Sequence, residues 1–205
     1  MTRILQINTS LHGADAQSSR LASEFVAALQ RGSNPAGGPA VAVTVRDLAV
    51  EPVPHLTAER LGALSTPASE RSLEQQRVVA ESDELVGELQ RADVVVLGLP
   101  MYNFGVPSTL KAYFDHVARA GVTFRYTANG PVGLLTGKTA YVFATRGGRH
   151  AGTPRDLQTA YVRQFLGFIG IDDVEFVYAE GLALGADHRE AALGTATTRI
   201  AELAA

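Results

Sequence analysis

Short apolar runs alternate with segments of helical periodicity along this chain, and this alternation constrains the fold more than any other feature. Runs of strand length occupy residues 4–7, 41–45, 94–99, 140–144 and 174–178. Between and after them, apolar residues recur at helical spacing in residues 18–29, 73–89, 107–121, 157–168 and 187–203. We therefore predict an α/β fold with a five-stranded parallel sheet and helices on both faces, because each parallel connection must cross over the sheet.

The number of strands and the right-handedness of crossovers leave few arrangements of this sheet. Five strands fit the flavodoxin-like order 2-1-3-4-5 better than the six-stranded dinucleotide-binding order. Residues 94–99 form the most apolar run, which predicts a central strand that is buried on both faces. A ligand is expected beyond the carboxyl ends of the strands, at the point where the strand order reverses.

Composition excludes several classes of protein. Hydrophobic residues make up 46% of the 205 residues and charged residues 19%, which suits a folded domain with a sizeable core. The net charge of −3 gives no reason to expect binding to nucleic acid or to an anionic membrane. Cysteine is absent and the histidines lack ligand spacing, so we expect no disulfide and no metal.

Neither a targeting segment nor an internal boundary is visible in the chain. The first residues do not resemble a signal peptide, and no apolar run reaches the ~20 residues of a spanning helix. We therefore expect a cytoplasmic protein. No linker divides the chain, so we predict a single domain over residues 1–205.

The loop after the first strand concentrates polar side chains where a helix begins. It contains four hydroxyl residues and one amide: Thr9, Ser10, Ser18, Ser19 and Gln17. Hydroxyls and helix N-terminal N–H groups together can hold a phosphate. The same residue types also cap helices, so ordinary capping is the alternative.

Two further loops leave strands at the same edge of the predicted sheet. Residues 98–111 carry Tyr102 and Phe104, whose flat apolar rings suit an aromatic ligand, although they could instead cover the end of the sheet. Residues 145–150 contain consecutive glycines, whose accessible N–H groups suit a carbonyl or a ring anion; a plain flexible loop is the alternative. All three loops follow strand carboxyl ends, and their coincidence favours a ligand site.

A small hairpin is predicted outside the main sheet. Residues 123–126 and 132–135 flank an Asn-Gly pair, which is a strong hairpin signal. Phe124 and Tyr126 lie on its first arm, and we expect little core to be left for these rings to join.

Four smaller expectations concern the helices and loops. The helix that begins after Pro107 is expected to stop at Gly121. The charge-rich segment 70–88 is expected to present a solvated helix face. A short helix is expected at 57–64, and a surface loop at 32–39.

Taken together, these segments resemble the FMN-dependent NADH-azoreductase family, which also reduces quinones. The resemblance spans nearly the whole chain and is carried, in order, by residues 100–104, 106–111, 119–126, 129–135, 146–148 and 165–170. It implies a flavodoxin-like three-layer sandwich that forms a homodimer. It also implies one tightly bound FMN per subunit, near the subunit interface.

The resemblance assigns individual residues to the implied FMN site. Ser10, Gln17 and Ser18 are expected to hold the phosphate. Ala16 stands where the family usually has serine, so the phosphate would depend more on backbone N–H groups. The isoalloxazine is expected to lie along Pro100, Met101, Tyr102, Asn103 and Phe104. Its pyrimidine edge is expected to meet Thr145, Arg146, Gly147 and Gly148.

The implied substrate pocket and reaction follow from the same resemblance. Tyr126 and Phe168 are expected to shape the pocket, with Tyr126 reaching the partner's flavin. His150, at the end of the third loop, could donate a proton or orient the substrate, and an ordinary loop histidine is the alternative. Two electrons would pass from NADH via FMN, in a ping-pong cycle, to quinones or aromatic azo compounds. The alternatives are a non-catalytic FMN electron carrier, an NAD(P)H-dependent reductase of flavins or metal oxyanions, and a binding module without FMN.

Overall fold

The computed structural model describes residues 1–32 and 40–205, which contain seven strands, six α-helices and two short 3-10 helices, Gly13–Asp15 and Ala68–Glu70. The strands are β1 (Thr2–Asn8), β2 (Val41–Asp47), β3 (Val94–Pro100), β4 (Phe124–Thr127), β5 (Gly130–Gly133), β6 (Thr139–Arg146) and β7 (Asp173–Glu180). The helices are α1 (Gln17–Gly32), α2 (Ala58–Ser65), α3 (Leu73–Arg91), α4 (Ser108–Val117), α5 (Leu157–Ile169) and α6 (Ala186–Leu203). The loop predicted at 32–39 lies outside the described residues except for Gly32, which ends α1.

Five strands form one parallel sheet in the order β2-β1-β3-β6-β7, which confirms the predicted order. The strand order reverses between β1 and β3, so the carboxyl ends of β1, β3 and β6 lie side by side. Six of the seven β3 residues are buried, which confirms its central position.

The core lies in two layers, one on each face of the sheet. On one face, Phe25 of α1 and Ile200 of α6 pack against Val96 and Phe143 of the sheet. On the other face, α3, α4 and α5 contribute the larger cluster, which includes Leu89. The predicted three-layer sandwich is therefore confirmed.

Local sequence explains where several helices begin and end. Ser72 and Gln75 form a reciprocal capping box at the start of α3, with distances of 3.2 and 3.0 Å. Asp156 caps α5 by accepting a hydrogen bond from the Thr159 N–H at 3.0 Å. Gly170, with a φ of 102°, ends α5 in the left-handed region that glycine favours.

The predicted hairpin is present as β4 and β5, and it joins the core more closely than expected. Phe124 is only 6% exposed and packs on Phe168, with ring centroids 4.3 Å apart. A Cβ on Gly133 would lie 2.0 Å from the backbone nitrogen of Gly170, so the hairpin meets the end of α5 backbone to backbone. The expectation that both aromatic rings lack a core is therefore wrong for Phe124, whereas Tyr126 remains 75% exposed.

Helix α4 ends at Val117, four residues before the predicted stop at Gly121. The Thr123 hydroxyl donates to the Val117 carbonyl at 2.6 Å and accepts from the Arg119 N–H at 2.9 Å. This side chain satisfies a backbone carbonyl at the helix end, so the chain turns early. Gly121, with a φ of 77°, supplies the positive φ of the following turn.

The segment 70–88 presents a solvated face only in part. Glu88, near the end of α3, is buried and accepts a hydrogen bond from Arg46 of β2 at 2.5 Å. Glu84 accepts from the same guanidinium at 2.6 Å. These ion pairs hold α3 against the edge of the sheet, so the prediction of a solvated face is wrong at Glu88.

Candidate functional site

The three predicted loops meet at the point where the strand order reverses. The Thr9 N–H and hydroxyl both contact the Gly98 carbonyl, at 3.3 and 2.8 Å, which joins the end of β1 to β3. The Met101 N–H donates to the Thr145 carbonyl at 2.9 Å, which joins the loop after β3 to β6. One edge of the sheet therefore brings together the residues that the sequence separates by more than a hundred positions.

Helix α1 begins directly against β3, and Gly98 makes that approach possible. A Cβ at Gly98 would lie 3.0 Å from the Ser18 carbonyl oxygen and 3.3 Å from the Ser19 nitrogen. The Arg20 N–H donates to the Ala16 carbonyl at 2.9 Å, so Ala16 occupies the capping position. Alanine has no side-chain oxygen, so its side chain cannot accept a hydrogen bond from the N–H groups of the first turn.

The first turn of α1 contains donors without partners. Among residues 1–32 and 40–205, none accepts a hydrogen bond from the backbone N–H of Gln17, Ser18 or Ser19. The hydroxyls of Ser18 and Ser19 are completely buried and likewise have no partner within the described chain. Buried unpaired donors are costly, and a helix N-terminus attracts anions, so this turn fits a phosphate group.

Ser10 is engaged within the protein, whereas Arg20 of the same segment lies in solvent. Ser10 Oγ lies 3.0 Å from the Tyr102 hydroxyl and accepts from the His12 N–H at 3.2 Å. Arg20 is exposed and approaches Asp15 at 3.4 Å, so it lies in solvent. Helix capping therefore does not account for the buried Ser18 and Ser19. Ser10 contacts the loop that follows β3 through Tyr102.

A strained turn follows β3. Tyr102 and Gly105 exchange backbone hydrogen bonds at 3.2 and 3.0 Å, and the two residues between them have positive φ angles, 48° at Asn103 and 66° at Phe104. Such a turn favours Asn-Gly, and a bulky residue in the left-handed region costs roughly 1–2 kcal/mol. Phe104 is also 57% exposed, and an exposed strained aromatic at a strand end is typical of a ligand site.

The glycine loop (residues 147–151) presents backbone donors. The carbonyls of Gly147 and Gly148 accept from the N–H groups of Ala183 and Gly181, at 3.1 and 2.9 Å. In contrast, none of the residues that the structure describes accepts from the Gly147 or Gly148 N–H. These two N–H groups could therefore meet oxygen or nitrogen atoms at the edge of a ring, as the sequence predicts.

Thr145 and Arg146 differ from the glycines in what they can offer a ligand. Thr145 is buried at the end of β6. The Arg146 side chain is fully buried and pairs with Asp156 and Glu180, each at 2.9 Å. Its guanidinium is committed to the interior, so only its main chain remains for the predicted contact with a ligand.

His150 belongs to the glycine loop, and its side chain lies against the strained turn. Its ring meets Phe104 edge-on, with centroids 5.7 Å apart. Its Nδ1 is buried and has no partner among the described residues. The ring therefore adjoins the site and retains one nitrogen that could exchange a proton or a hydrogen bond.

Two cavities flank the strained turn. One, of about 530 Å³, lies on the side of the first loop and is lined by Leu11, Met101, Tyr102, Asn103, Val106 and Ser108. The other, of about 560 Å³, includes Phe104, His55, Lys111, Leu157 and Tyr161 in its lining. A volume of this size on either side of the turn suits a flat organic molecule.

Tyr126 and Phe168 do not reach this site within one subunit. Neither lines either cavity. Leu157, at the start of α5, lies beside the site, and Phe168 follows about 17 Å further along the helix axis. Within one chain, the structure therefore does not bring these two residues into the candidate site.

Sequence reasoning missed two polar residues beneath the site, the buried Gln158 and the half-buried Glu180. Gln158 donates to the Pro100 carbonyl at 2.9 Å and to the Gly105 carbonyl at 3.1 Å. Glu180 accepts from the backbone of the glycine loop and from Arg146. A glutamine in a helix and a glutamate at a strand end are ordinary surface residues in most sequences, so no local pattern distinguishes them.

Comparison with known proteins agrees with this geometry. A family model described as having the flavodoxin-like fold matches residues 2–204. An FMN-dependent NADH:quinone oxidoreductase of Burkholderia pseudomallei is 57% identical over 201 residues, which cover 98% of this chain and 99% of the relative. An azoreductase structure from Bacillus anthracis has a TM-score of 0.88 at 28% identity, with coverage of 100% and 99%. An FMN-dependent NADH-azoreductase from the same species, in complex with FMN, has a TM-score of 0.88 at 26% identity, with coverage of 100% and 98%.

Proposed function

Because the chain belongs to the family with the flavodoxin-like fold, we propose that it is an FMN-dependent NADH:quinone oxidoreductase that also cleaves aromatic azo compounds. The observation that carries this proposal is the set of unpartnered donors in the first turn of α1, beside the strained aromatic turn after β3. The names of the similar proteins, an NADH:quinone oxidoreductase and azoreductases, support the same chemistry.

The phosphate of FMN is assigned to the first turn of α1. The Ser18 hydroxyl and the backbone N–H groups of Gln17 and Ser18 would donate to it, and Ser10 would flank it. With Ala16 at the cap, these donors remain available, because no side chain within residues 1–32 and 40–205 accepts a hydrogen bond from them. The positive end of the helix dipole favours the negative charge of the phosphate.

The isoalloxazine is assigned to the segment of Pro100, Met101, Tyr102, Asn103 and Phe104, the last four of which line the two cavities. When bound, FMN supplies the acceptance and donation of two electrons as hydride, and the protein supplies position and electrostatics. The N–H groups of Gly147 and Gly148 would face the pyrimidine edge and stabilise negative charge there.

The same loops offer further groups that would contact the ring or its substrates. The N–H of Asn103 has no acceptor within the described chain and is available to a ring nitrogen. Thr145 and the main chain of Arg146 complete the pyrimidine side. His150 is the side chain beside the site that could hold or pass a proton at Nδ1.

A homodimer is the proposed assembly, because the substrate pocket is incomplete in one subunit. Tyr126 is 75% exposed on a hairpin whose backbone packs directly against the end of α5. Together with Phe168, it would close the pocket of the partner rather than that of its own subunit. The expected cytoplasmic location stays a prediction; no helix within residues 1–32 and 40–205 combines the length and apolarity needed to cross a bilayer.

The decisive experiment is an anaerobic titration of the purified protein with FMN, followed by NADH and menadione. Retained flavin absorbance that NADH bleaches and menadione restores, with steady turnover, is the expected result. Flavin that is retained but not reduced by NADH would instead indicate an electron carrier. Failure to retain FMN would overturn the proposal.

A further inference from the structure

A buried polar network lies beneath both loops that are assigned to the isoalloxazine. At its centre, the fully buried Arg146 guanidinium donates to Glu180 at 2.9 Å, to Asp156 at 2.9 Å and to Gln158 at 3.3 Å. Two carboxylates therefore compensate one buried positive charge. Such a network stabilises a unique arrangement when all of its members are satisfied.

One carboxylate of this network also holds the glycine loop. Glu180 Oε1 accepts from the His150 N–H at 2.8 Å and from the Ala151 N–H at 2.9 Å, in addition to Arg146. These contacts fix the loop directly after the two glycines whose N–H groups are free. The peptide planes that carry those two N–H groups are also held by the N–H groups of Leu182 and Ala183, which donate to the carbonyls of Arg146 and Gly147 at 3.1 Å each. Glu180 holds the residues that follow, so the placement of the two free N–H groups depends on Glu180 together with these backbone contacts.

The same network reaches the strained turn. Gln158, which accepts from Arg146, donates to the carbonyls of Pro100 and Gly105 on either side of that turn. Both ring-facing loops are thus attached to a single guanidinium that ligands cannot reach.

We propose that Glu180 is a positioning residue for FMN: its carboxylate, braced by Arg146, aims the Gly147 and Gly148 N–H groups at the pyrimidine edge. This inference rests on the proposed function. It assigns a binding role to a side chain that does not itself need to touch the cofactor, because small misplacements of donor groups are costly in binding and catalysis.

Two conservative variants distinguish positioning from a purely structural role. If Glu180 serves only to neutralise Arg146, Glu180→Gln should weaken FMN binding more than Glu180→Asp; positioning predicts the reverse. Glu180→Asp keeps the charge beside Arg146 but shortens the side chain by one methylene, so it cannot span both Arg146 and the glycine loop. Glu180→Gln keeps the reach and an acceptor oxygen but loses the charge. Its NH2 group would replace Oε2, which accepts no hydrogen bond from the described residues.

Asp156→Asn is the matched control. Asp156 pairs with the same guanidinium at the same 2.9 Å, and its other partner is Thr159 in α5 rather than the glycine loop. This substitution removes the same charge from Arg146 and leaves the contacts of His150 and Ala151 intact. It therefore separates the loss of charge from the loss of positioning.

The test measures the Kd of FMN for each apoprotein by quenching of flavin fluorescence, together with amide hydrogen exchange of the glycine loop without FMN. Positioning predicts a Kd at least about 10-fold higher for Glu180→Asp, with faster exchange at His150 and Ala151. It predicts values within about 3-fold of the wild type for Glu180→Gln and Asp156→Asn. The reverse ranking, or a Glu180→Asp variant equal to the wild type, would overturn the proposal.

Two further outcomes are informative. If Glu180→Asp does not fold, Glu180→Gln and Asp156→Asn decide between the two roles. Kd values for FMN near that of the wild type in both variants support positioning. A higher Kd in both supports charge compensation and overturns the positioning role. If the wild type itself does not bind FMN, the proposed function fails. The exchange data on the apoprotein then still show whether Glu180 holds the glycine loop.

Discussion

Replacing Ser18 by alanine should weaken FMN binding and stabilise the apoprotein at the same time. The Ser18 hydroxyl is completely buried and has no hydrogen-bond partner within residues 1–32 and 40–205. An unsatisfied buried hydroxyl costs free energy of folding, whereas the same hydroxyl bonded to a phosphate contributes to binding. The two effects of the substitution therefore have opposite signs.

The magnitudes follow from the charge of the ligand and the burial of the hydroxyl. A hydrogen bond to a charged group contributes roughly 1.5–3 kcal/mol, so Ser18→Ala should raise the Kd of FMN about 10- to 150-fold. Removing the unpaired hydroxyl should stabilise the apoprotein by about 1 kcal/mol, which corresponds to a Tm higher by about 2–4 °C for a chain of this length.

Ser19→Ala is the internal control for this experiment. Ser19 Oγ is equally buried and equally unpartnered in the described structure, but it is not assigned to the phosphate. Both variants should raise the Tm of the apoprotein in a thermal scan, and only Ser18→Ala should raise the Kd in a fluorescence titration. An unchanged Kd for Ser18→Ala would refute the phosphate placement, and a lower apoprotein Tm would refute the absence of a hydrogen-bond partner.

Three other substitutions test separate parts of the site and the fold. Gly147→Val should abolish FMN retention, because even a Cβ there lies 3.3 Å from Ala183 Cβ and the added methyl groups would displace the loop; full FMN occupancy after purification would contradict this. Tyr126→Ala should lower kcat/KM for menadione far more than it changes the Kd of FMN, and unaltered acceptor kinetics would count against a role across the subunit interface. Burial, aided by the charge of Arg60, lowers the pKa of His116 below its usual 6.5. Below pH 6.5 the imidazole is therefore protonated in the unfolded chain but still neutral in the native chain. The free energy of unfolding should then fall by up to about 1.4 kcal/mol per pH unit as the solution is acidified. His116→Gln should flatten the dependence of the urea midpoint on pH.

Much of the fold could be predicted from the sequence because its determinants are local. Strand-length apolar runs and helical stripes report which side chains must be buried, and burial on both faces identified β3 as the central strand. The Asn-Gly pair located the hairpin in the same way. The edge of the sheet that carries the three loops then followed from the topology alone, since parallel strands end together.

The sequence could not reveal which polar side chains pair with each other. Arg46 pairs with Glu88 across 42 positions, and Arg146 pairs with Glu180 across 34. In the sequence these residues look like ordinary surface charges, because nothing local reports which distant side chain will neutralise a buried one. The positive φ of Phe104 could not be predicted from the sequence either, since phenylalanine has no preference for the left-handed region.

The sequence by itself therefore determined the layers, the strand order and the edge of the sheet where a ligand can bind, because hydrophobic periodicity is written into neighbouring residues. Only the tertiary structure decided which hydroxyls and N–H groups at that edge remain without partners. Hydrogen bonds and buried ion pairs depend on distances of a few ångströms between residues that are far apart in the chain, and those distances exist only once the chain has folded.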